Sequence, residues 1–293
     1  MTPYREKRRR QADTLHADPF EPSEPISPSP REAVPHARIL AENPDGRLSA
    51  DNAHYLTKVL RLRPGARFFL TDGSGLELLC QLQDSETYVV LSSERPQREA
   101  AVDFTVFLPL LKGDRLDYLI EKLVELGVTR FVPFLSRYSC VTTPSESKQA
   151  RWNNIARAAM LQAGGCLVPR FEPVTTLAHL PPPDDQVLAF VLHEIAPNEA
   201  AEAIPDLVSA SGLSIREVRL LSGPEGGLSG EEVGSLERAG WRRLWLGTRR
   251  LRADTAPIAA LAGLHCHWRS LMGLGGPGHS SVREPGSKHD CRA

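Results

Sequence analysis

The chain contains 293 residues, a length that allows about two domains of ordinary size. Hydrophobic residues make up 41% and charged residues 24% of the sequence, which is typical of a water-soluble globular protein and excludes a collagen-like or wholly disordered chain. The longest nearly apolar segments, residues 102–111 and 187–192, fall short of the roughly 18 to 20 residues needed to cross a bilayer. The composition therefore predicts a globular protein that does not span a membrane.

The beginning of the chain has no pattern that predicts a folded element. Residues 1–10 are basic, but no apolar segment follows them, so the sequence lacks a secretory signal. An organelle transit peptide is the alternative, and the acidic residues that come next argue against it. These are Asp13, Asp18, Glu21 and Glu24. Because prolines then interrupt the chain up to Pro35, we expect a disordered leader over residues 1–36 and a cytoplasmic protein.

The cysteines are widely spaced, odd in number and form no Cys-x-x-Cys pair, so the sequence predicts neither a disulfide framework nor a zinc site. They are Cys80, Cys140, Cys166, Cys266 and Cys291. Scattered reduced thiols are typical of a cytosolic protein.

The pattern of residues 37–96 predicts a compact β-barrel-like module. Asp51 can cap a helix that has Leu56, Val59 and Leu60 on one face. Short β-rich segments follow, and a glycine-containing turn over residues 72–75 marks a hairpin between the first two. The segments are residues 66–71, 76–82 and 87–92.

From residue 101 to 264 apolar strand candidates alternate with amphipathic helices. The strand candidates are residues 104–111, 130–134, 187–192, 218–221 and 244–246. One helix buries Leu116, Leu119, Ile120, Leu123, Val124 and Leu126, and a second contains Trp152, Ile155, Ala159 and Gln162. This alternation predicts an α/β domain with a largely parallel sheet, in which ligands bind at the carboxyl ends of the strands.

A glycine-rich turn over residues 222–229 follows one of these strands. Its glycines leave backbone groups uncovered, and Glu225 projects a carboxylate into the same turn. Ser229 and Glu232 have the spacing of a capping box, which predicts that a helix begins there. The turn has neither the Walker nor the dinucleotide-binding spacing. It is either a seat for a small molecule or an ordinary strand-to-helix turn.

Arginines crowd the segment that leads into a predicted helix over residues 255–264. They are Arg238, Arg242, Arg243, Arg249, Arg250 and Arg252. Because guanidinium groups suit phosphate geometry, nucleic acid is the expected partner, although a solvated charged face would give the same pattern.

The two segments share a set of motifs with a known family. The motif residues are Gly223-Pro224-Glu225-Gly226-Gly227, Leu246-Gly247 and Leu251-Arg252-x-Asp254-Thr255-Ala256. Further matches are Lys112, residues 121–128, Pro133, Ser136-Arg137, Arg151-Trp152, Gln162, Val168-Pro169 and the segment 59–65. Residues 37–264 thus resemble the RsmE family of small-subunit ribosomal RNA uridine N3 methyltransferases.

The resemblance implies a SPOUT-class α/β fold with a trefoil knot, preceded by a PUA-like RNA-binding β-barrel over residues 37–96. It implies S-adenosylmethionine as the cofactor, held by loops after three strands. The cofactor-binding candidates are Leu192, His193, Glu194, Ser222, Gly223, Glu225, Gly226, Gly227, Leu246, Gly247, Leu251 and Arg252. It also implies a homodimer to which the helix from Thr255 contributes.

Methyl transfer to uracil N3 requires the loss of the N3 proton, so the reaction needs a base and a group that stabilises the uracil anion. Glu225 is the candidate base, and Arg252 is the candidate for stabilising charge on the uracil oxygens. Alternatively, Glu225 only holds the turn and Arg252 binds a phosphate. The RNA-binding candidates are Arg61, Lys112, Arg115, Arg137, Lys148, Arg151 and Arg249.

The chain also departs from the family pattern. Gly165 stands where an arginine is usual, Asp254 replaces a glutamate and Arg250 replaces an aliphatic residue. A non-catalytic RNA-binding or ribosome-assembly factor on the same fold is therefore one alternative, and a knotted tRNA ribose methyltransferase is another. Residues 265–293 no longer match and predict a flexible tail, in which His265, Cys266 and His267 are not expected to bind a metal.

Overall fold

The structure is a computed structural model that describes residues 37–41, 44–96, 98, 102–140, 143–193 and 215–271, with side chains described up to residue 266. The predicted leader over residues 1–36, Glu194 and the tail beyond residue 271 lie outside the described residues. Within the described ranges, no helix is both long and apolar enough to span a membrane.

The N-terminal module is built on a four-stranded sheet of order β1-β2-β3-β4, in which β1 and β2 are parallel and the other pairs are antiparallel. The strands are β1 Arg38–Leu40, β2 Arg67–Thr71, β3 Glu77–Leu82 and β4 Tyr88–Glu94. Alternate residues of β2 and β3 enclose a core with Phe68 and Leu70 at its centre. The predicted β-rich segments match the three longer strands to within two residues at each end.

The helix of this module differs from the sequence prediction. Ser49, and not Asp51, caps α1 (Ala50–His54), because its hydroxyl accepts a hydrogen bond from the Asn52 N–H at 3.2 Å. The chain then widens into a π-helical turn over Tyr55–Val59. The wider turn rotates Val59 away from the core, so only Leu56 of the predicted apolar face is buried.

Within the described residues, the second sheet contains seven strands, all parallel, in the order β11-β9-β10-β5-β6-β7, with β8 also paired to β6. The strands are β5 Asp103–Pro109, β6 Arg130–Leu135, β7 Arg170–Phe171, β8 Thr175–Thr176, β9 Val187–Leu192, β10 Glu217–Ser222 and β11 Arg242–Arg243. The predicted parallel α/β domain is confirmed.

Helices cover both faces of this sheet. The helices are α2 Arg115–Glu125, α3 Glu146–Ala163, α4 Gly230–Arg238 and α5 Thr255–Leu271. On one face α2, α3 and α5 pack against alternate strand residues such as Phe104, Phe131 and Phe190. On the other face α4 packs with Phe107 and Trp241. Burial of both faces explains why the strands read as continuous apolar runs.

Two predicted boundaries in this domain are wrong. The strand expected at residues 244–246 lies at Arg242–Arg243, where an edge position tolerates charged side chains, and only Leu244 continues its pairing. The helix expected to end at Leu264 runs on to Leu271. His265, assigned to the flexible tail, instead packs on the Phe104 ring and hydrogen-bonds the Leu126 carbonyl. The trefoil knot stays a prediction.

Candidate active site

The loops that follow three adjacent strands meet at the carboxyl edge of the parallel sheet. Strands β11, β9 and β10 are neighbours, so the segments after their last residues come together there. They enclose a cavity of about 980 Å³, at the upper end of the range for small-molecule sites. The residues after β5, next to β10, complete the wall through Leu111 and Arg115.

Most of the predicted cofactor-binding residues line this cavity. They are Leu192, His193, Ser222, Gly223, Glu225, Gly227, Leu246, Gly247, Leu251 and Arg252. Gly226 is not among the residues that line the cavity. A Cβ on Gly226 would lie 2.8 Å from the Cβ of Tyr138, so this glycine faces the loop after β6 and not the cavity.

The glycine turn brings bare backbone to the cavity. A Cβ on Gly223 would lie 2.8 Å from the carbonyl carbon of Gly227, so only glycine fits there. Gly227 donates its N–H to the Pro224 carbonyl at 2.8 Å and has a φ of +73°, which L-residues with side chains rarely adopt. Gly247 also has a positive φ and no atom within 4 Å of its Cβ position. Both loops therefore bring main chain without side-chain cover to the cavity wall.

The capping box predicted after the turn is present. The Ser229 hydroxyl accepts from the Glu232 N–H at 3.3 Å, and the Glu232 carboxylate accepts from the Ser229 N–H at 2.8 Å. The other carboxylate oxygen of Glu232 accepts from the Arg137 N–H at 2.7 Å. One carboxylate thus starts α4 and fixes the loop after β6 beside the glycine turn.

Glu225 lies between two cavities. Its Oε1 accepts a hydrogen bond from the Lys112 N–H at 3.3 Å and lies 3.6 Å from a terminal nitrogen of Arg115. Glu225 and Arg115 also line a second cavity of about 450 Å³, together with Gly113 and Cys140 among others. The carboxylate is partly exposed, at 34%, and is oriented by a backbone donor and a guanidinium.

Arg252 projects from the third loop with an exposed guanidinium that lies 3.3 Å from the Asp254 carboxylate. The Asp254 side chain is only 12% exposed, so it is a fixed anchor. The Arg252 carbonyl accepts the N–H groups of Thr255 and Ala256 at 3.0 and 2.9 Å, which starts α5. The helix start therefore holds the backbone of Arg252, and Asp254 holds its side chain.

The predicted RNA-binding residues do not form one cluster but are distributed over five places. Arg115 and Arg249 line the main cavity, and Lys112 lines the second. On α3, Arg151 is ion-paired to Asp117 at 2.6 Å and the Lys148 ammonium lies over the Trp152 ring at 5.7 Å. The remaining two are Arg137, which pairs with Glu231 at 3.3 Å, and Arg61 of the N-terminal module, with a φ of 56°.

Beyond the predicted loops 192–194, 222–227 and 246–252 and the RNA-binding candidate Arg115, sequence reasoning missed several residues of the cavity wall. They are Leu111, Leu228, Leu244, Trp245, Ala253, Asp254 and Ala256. All but Leu111 lie inside the motifs or directly beside the predicted loops. Leu111 follows β5 and reaches the site because β5 pairs with β10. This pairing cannot be predicted from the local sequence pattern.

In the part of the chain that the structure describes, no group of three or more His, Cys, Asp or Glu side chains is arranged to hold a metal ion.

Comparisons with known proteins agree with this architecture. A family model described as an RNA methyltransferase domain matches residues 98–265, and one described as an RNA methyltransferase PUA domain matches residues 48–91. The fold and the site are those of an RNA methyltransferase that carries a PUA domain.

Relatives and solved structures narrow this class. A Synechocystis protein named ribosomal RNA small subunit methyltransferase E is 31% identical over 74% of this chain and 72% of its own. A Bacillus subtilis protein of the same name is 29% identical over 80% of this chain and 94% of its own. A Neisseria gonorrhoeae protein of that name, solved bound to S-adenosyl methionine, is 28% identical over 79% of this chain and 98% of its own, with a TM-score of 0.66. The chain belongs to the family of ribosomal RNA small subunit methyltransferase E.

The cavity fits the cofactor named for that solved structure. Gly223, Gly227 and Gly247 line the cavity without side chains, so a ligand can approach the main chain closely there. Leu192 and Leu251 add apolar surface to the wall, and the volume is sufficient for a molecule of this size.

Proposed function

We propose that this protein transfers a methyl group from S-adenosylmethionine to N3 of a specific uridine in small-subunit (16S) ribosomal RNA. The observation that carries the proposal is the cavity at the ends of β9, β10 and β11, whose wall contains both Glu225 and Arg252. Membership of the family and the SAM-bound relative support the cofactor.

Several residues of this chain would hold the cofactor. When bound, S-adenosylmethionine supplies an electrophilic methyl group on its sulfonium. The backbone of residues 222–227 and 246–251 hydrogen-bonds the polar groups of the ligand, while Leu192, Leu246 and Leu251 exclude water. Ser222 is buried and its hydroxyl contacts the Ala253 carbonyl at 3.4 Å, which joins the second and third loops.

Glu225 is the proposed acceptor of the uracil N3 proton. Its carboxylate lies in the wall shared by the two cavities. A uracil that enters from the second cavity would therefore meet this carboxylate next to the cofactor. The Lys112 N–H and Arg115 orient the carboxylate without burying it. A positioned carboxylate can take a proton in the transition state.

Arg252 is the proposed stabiliser of the uracil anion. Removal of the N3 proton places negative charge on the neighbouring oxygens, and an already oriented guanidinium stabilises that charge without reorganisation. Asp254 supplies this orientation.

RNA is held by basic residues at the cavity and on the module. Arg115 and Arg249 lie at the cavity, Lys112 lies beside it, and Arg61 extends the surface to the PUA domain. Such contacts position the RNA, and they do not read its sequence.

We propose further that the protein acts as a homodimer in the cytoplasm, with α5 contributing to the dimer. Cys80, Cys140 and Cys266 carry thiols that form no disulfide, which supports a reducing compartment.

Mass spectrometry of small-subunit RNA from a deletion strain tests the function. We expect N3-methyluridine to be absent at one position and to return with the wild-type gene, but not with a gene encoding Arg252→Ala. Calorimetry of the purified protein should show S-adenosylmethionine binding. Unchanged N3-methyluridine in the deletion strain would refute the proposal. Loss of a tRNA ribose methyl group in the deletion strain would favour the ribose methyltransferase. A set of RNA modifications identical to that of the wild-type strain would favour the assembly factor.

A further inference from the structure

A set of hydrogen bonds joins the N-terminal module to the methyltransferase domain. The β2–β3 turn lies against the segment that follows α3. Gly75 donates its N–H to the Cys166 carbonyl, and Val168 donates its N–H to the Gly73 carbonyl, both at 2.9 Å. The Thr71 hydroxyl lies 3.2 Å from the same Cys166 carbonyl oxygen and 2.8 Å from that of Leu76, so it can donate to either. Main-chain hydrogen bonds in both directions fix the register of the two domains.

The close approach depends on glycine. A Cβ on Gly73 would lie 2.7 Å from Cγ2 of Val168, and the φ of Gly73 is +81°. The turn therefore meets the other domain in direct backbone contact.

Glu77 lies at the centre of this junction. Its side chain is 1% exposed, and one carboxylate oxygen, Oε2, contacts the guanidinium groups of both Arg38 and Arg98. Arg98 belongs to the connection between the domains, and its Nε donates to the Gly164 carbonyl at 2.6 Å. Gly164 caps α3 in the left-handed conformation. One carboxylate thus links β1, the interdomain connection and the end of α3.

The arginine of β1 also lies near the end of α3. The Arg38 guanidinium lies 3.8 to 3.9 Å from the Cβ position of Gly164. Guanidinium groups from β1 and the connection therefore lie beside the end of α3.

We infer that Glu77 is a positioning residue that locks the PUA domain and the methyltransferase domain into one rigid unit, so that both contact the same RNA at a fixed separation. The lock follows from the geometry of the junction. Its consequence for RNA rests on the proposed function.

The negative charge of Glu77 is what the lock requires. A buried carboxylate between two guanidinium groups cancels their repulsion, and a neutral amide at this position would leave two cations facing each other. Arg98 is the more exposed partner, at 38%, so it would move into solvent and release the Gly164 carbonyl. Within the described residues, Oε1 of Glu77 has no hydrogen-bond partner, which makes the buried carboxylate costly to keep.

Rigid coupling has a defined effect on RNA binding. When one domain has bound, the second contact becomes intramolecular, with a high effective concentration that depends on the geometry of the connection. Preorganisation also avoids the entropy of ordering the domains on the RNA. Loosening the junction should therefore weaken RNA binding and leave the chemical step intact.

The test compares Glu77→Gln with Glu86→Gln, a matched change at an exposed carboxylate of the same module. Hydrogen exchange at the Gly75 and Val168 amides reports the junction directly, because both donate across it. For Glu77→Gln we expect lost protection at these amides and a rise of about tenfold in KM for unmethylated small-subunit RNA. The single-turnover rate at saturating RNA and the affinity for S-adenosylmethionine should stay at wild-type values.

A second variant, Arg98→Ala, removes the exposed partner and carries the test if Glu77→Gln does not fold. Unchanged protection in a folded variant would overturn the lock, and lost protection with an unchanged KM would overturn the positioning role. If the wild-type protein does not transfer a methyl group to the RNA, the proposed function is refuted. The hydrogen-exchange experiment would still decide whether Glu77 locks the domains.

Discussion

The Asp254 carboxylate lies 3.3 Å from a terminal guanidinium nitrogen of Arg252, and the two residues lie just before the first turn of α5. The buried aspartate thus aims an exposed arginine at the cavity.

Replacing Arg252 by alanine should lower the single-turnover rate of methyl transfer by about a hundred- to a thousandfold at saturating RNA, because one preorganised donor to an anion is lost. Affinity for S-adenosylmethionine should change little. Stopped reactions with labelled cofactor measure the rate, and Arg216→Ala, at the amino edge of the sheet and paired with Asp184, is the control. A wild-type rate restored by saturating RNA would show that Arg252 only binds phosphate.

Replacement by alanine should abolish cofactor binding at Gly223 but should raise the stability of the protein at Gly234. Gly223→Ala places a methyl group against the Gly227 backbone, so we expect the turn to shift and cofactor binding to be lost in calorimetry. Gly234 lies inside α4 with only the end of Arg238 near its Cβ position, so Gly234→Ala should stabilise the protein by about 0.5–1 kcal/mol in urea unfolding. Intact cofactor affinity in Gly223→Ala would show that this turn is not part of the binding site.

Arg249 and Arg151 should differ in their effect on the salt dependence of RNA binding. The plot of log affinity against log salt concentration has a negative slope. Arg249→Ala should reduce the magnitude of this slope by roughly one unit, because one phosphate contact is lost. Arg151 is already neutralised by Asp117 at 2.6 Å, so Arg151→Ala should reduce the magnitude of the slope by less than Arg249→Ala does. Titrations of labelled RNA at several salt concentrations give both slopes. Equal slopes for the two variants would contradict this assignment.

Glu217 should make the stability of the protein depend on acidic pH. Burial raises the pKa of Glu217, but hydrogen bonds from Arg219 and Thr105 outweigh this effect and hold the pKa below its ordinary value of 4.5. A depressed pKa in the folded state means that the stabilisation is complete above pH 4.5 and is lost as the pH falls below it.

Urea unfolding of Glu217→Gln measures this contribution. At pH 7 the variant should be less stable than the wild type by about 3 kcal/mol, because Arg219 keeps a buried charge without its partner. The difference should shrink as the pH is lowered from 4.5 towards 3. A difference that is independent of pH would show that the loss is one of packing and not of charge.

Much of the fold could be predicted because local patterns and tertiary structure agree. The apolar strand over Val187–Leu192 has the predicted bounds, since every one of its residues is buried. The helix with Leu116 and Leu123 on its buried side follows the 3.6-residue period. Prediction failed at Tyr55–Val59, because a π-turn changes the period. It also failed after Leu264, where packing of His265 on Phe104 extends a helix that its sequence does not favour strongly.

The site was predicted less completely than the fold. Motif residues with exposed backbone, such as Gly223 and Gly247, were found because glycine marks a close approach. Gly226 lies in the same turn but faces Tyr138, and the sequence does not tell which side of a turn a glycine faces. Leu111 and the pairing of Arg115 with Glu225 depend on long-range strand order, which local patterns do not encode.

The position of β10 between β5 and β9 has a consequence for the order in which the molecule forms. Thr105 and Glu217, which are hydrogen-bonded across β5 and β10, are 112 residues apart, whereas the pairings within β2, β3 and β4 join neighbours along the chain. High contact order makes the central sheet slow to assemble, and domains form from the amino end during synthesis. A growing polypeptide therefore completes its N-terminal module well before it acquires the cofactor cavity.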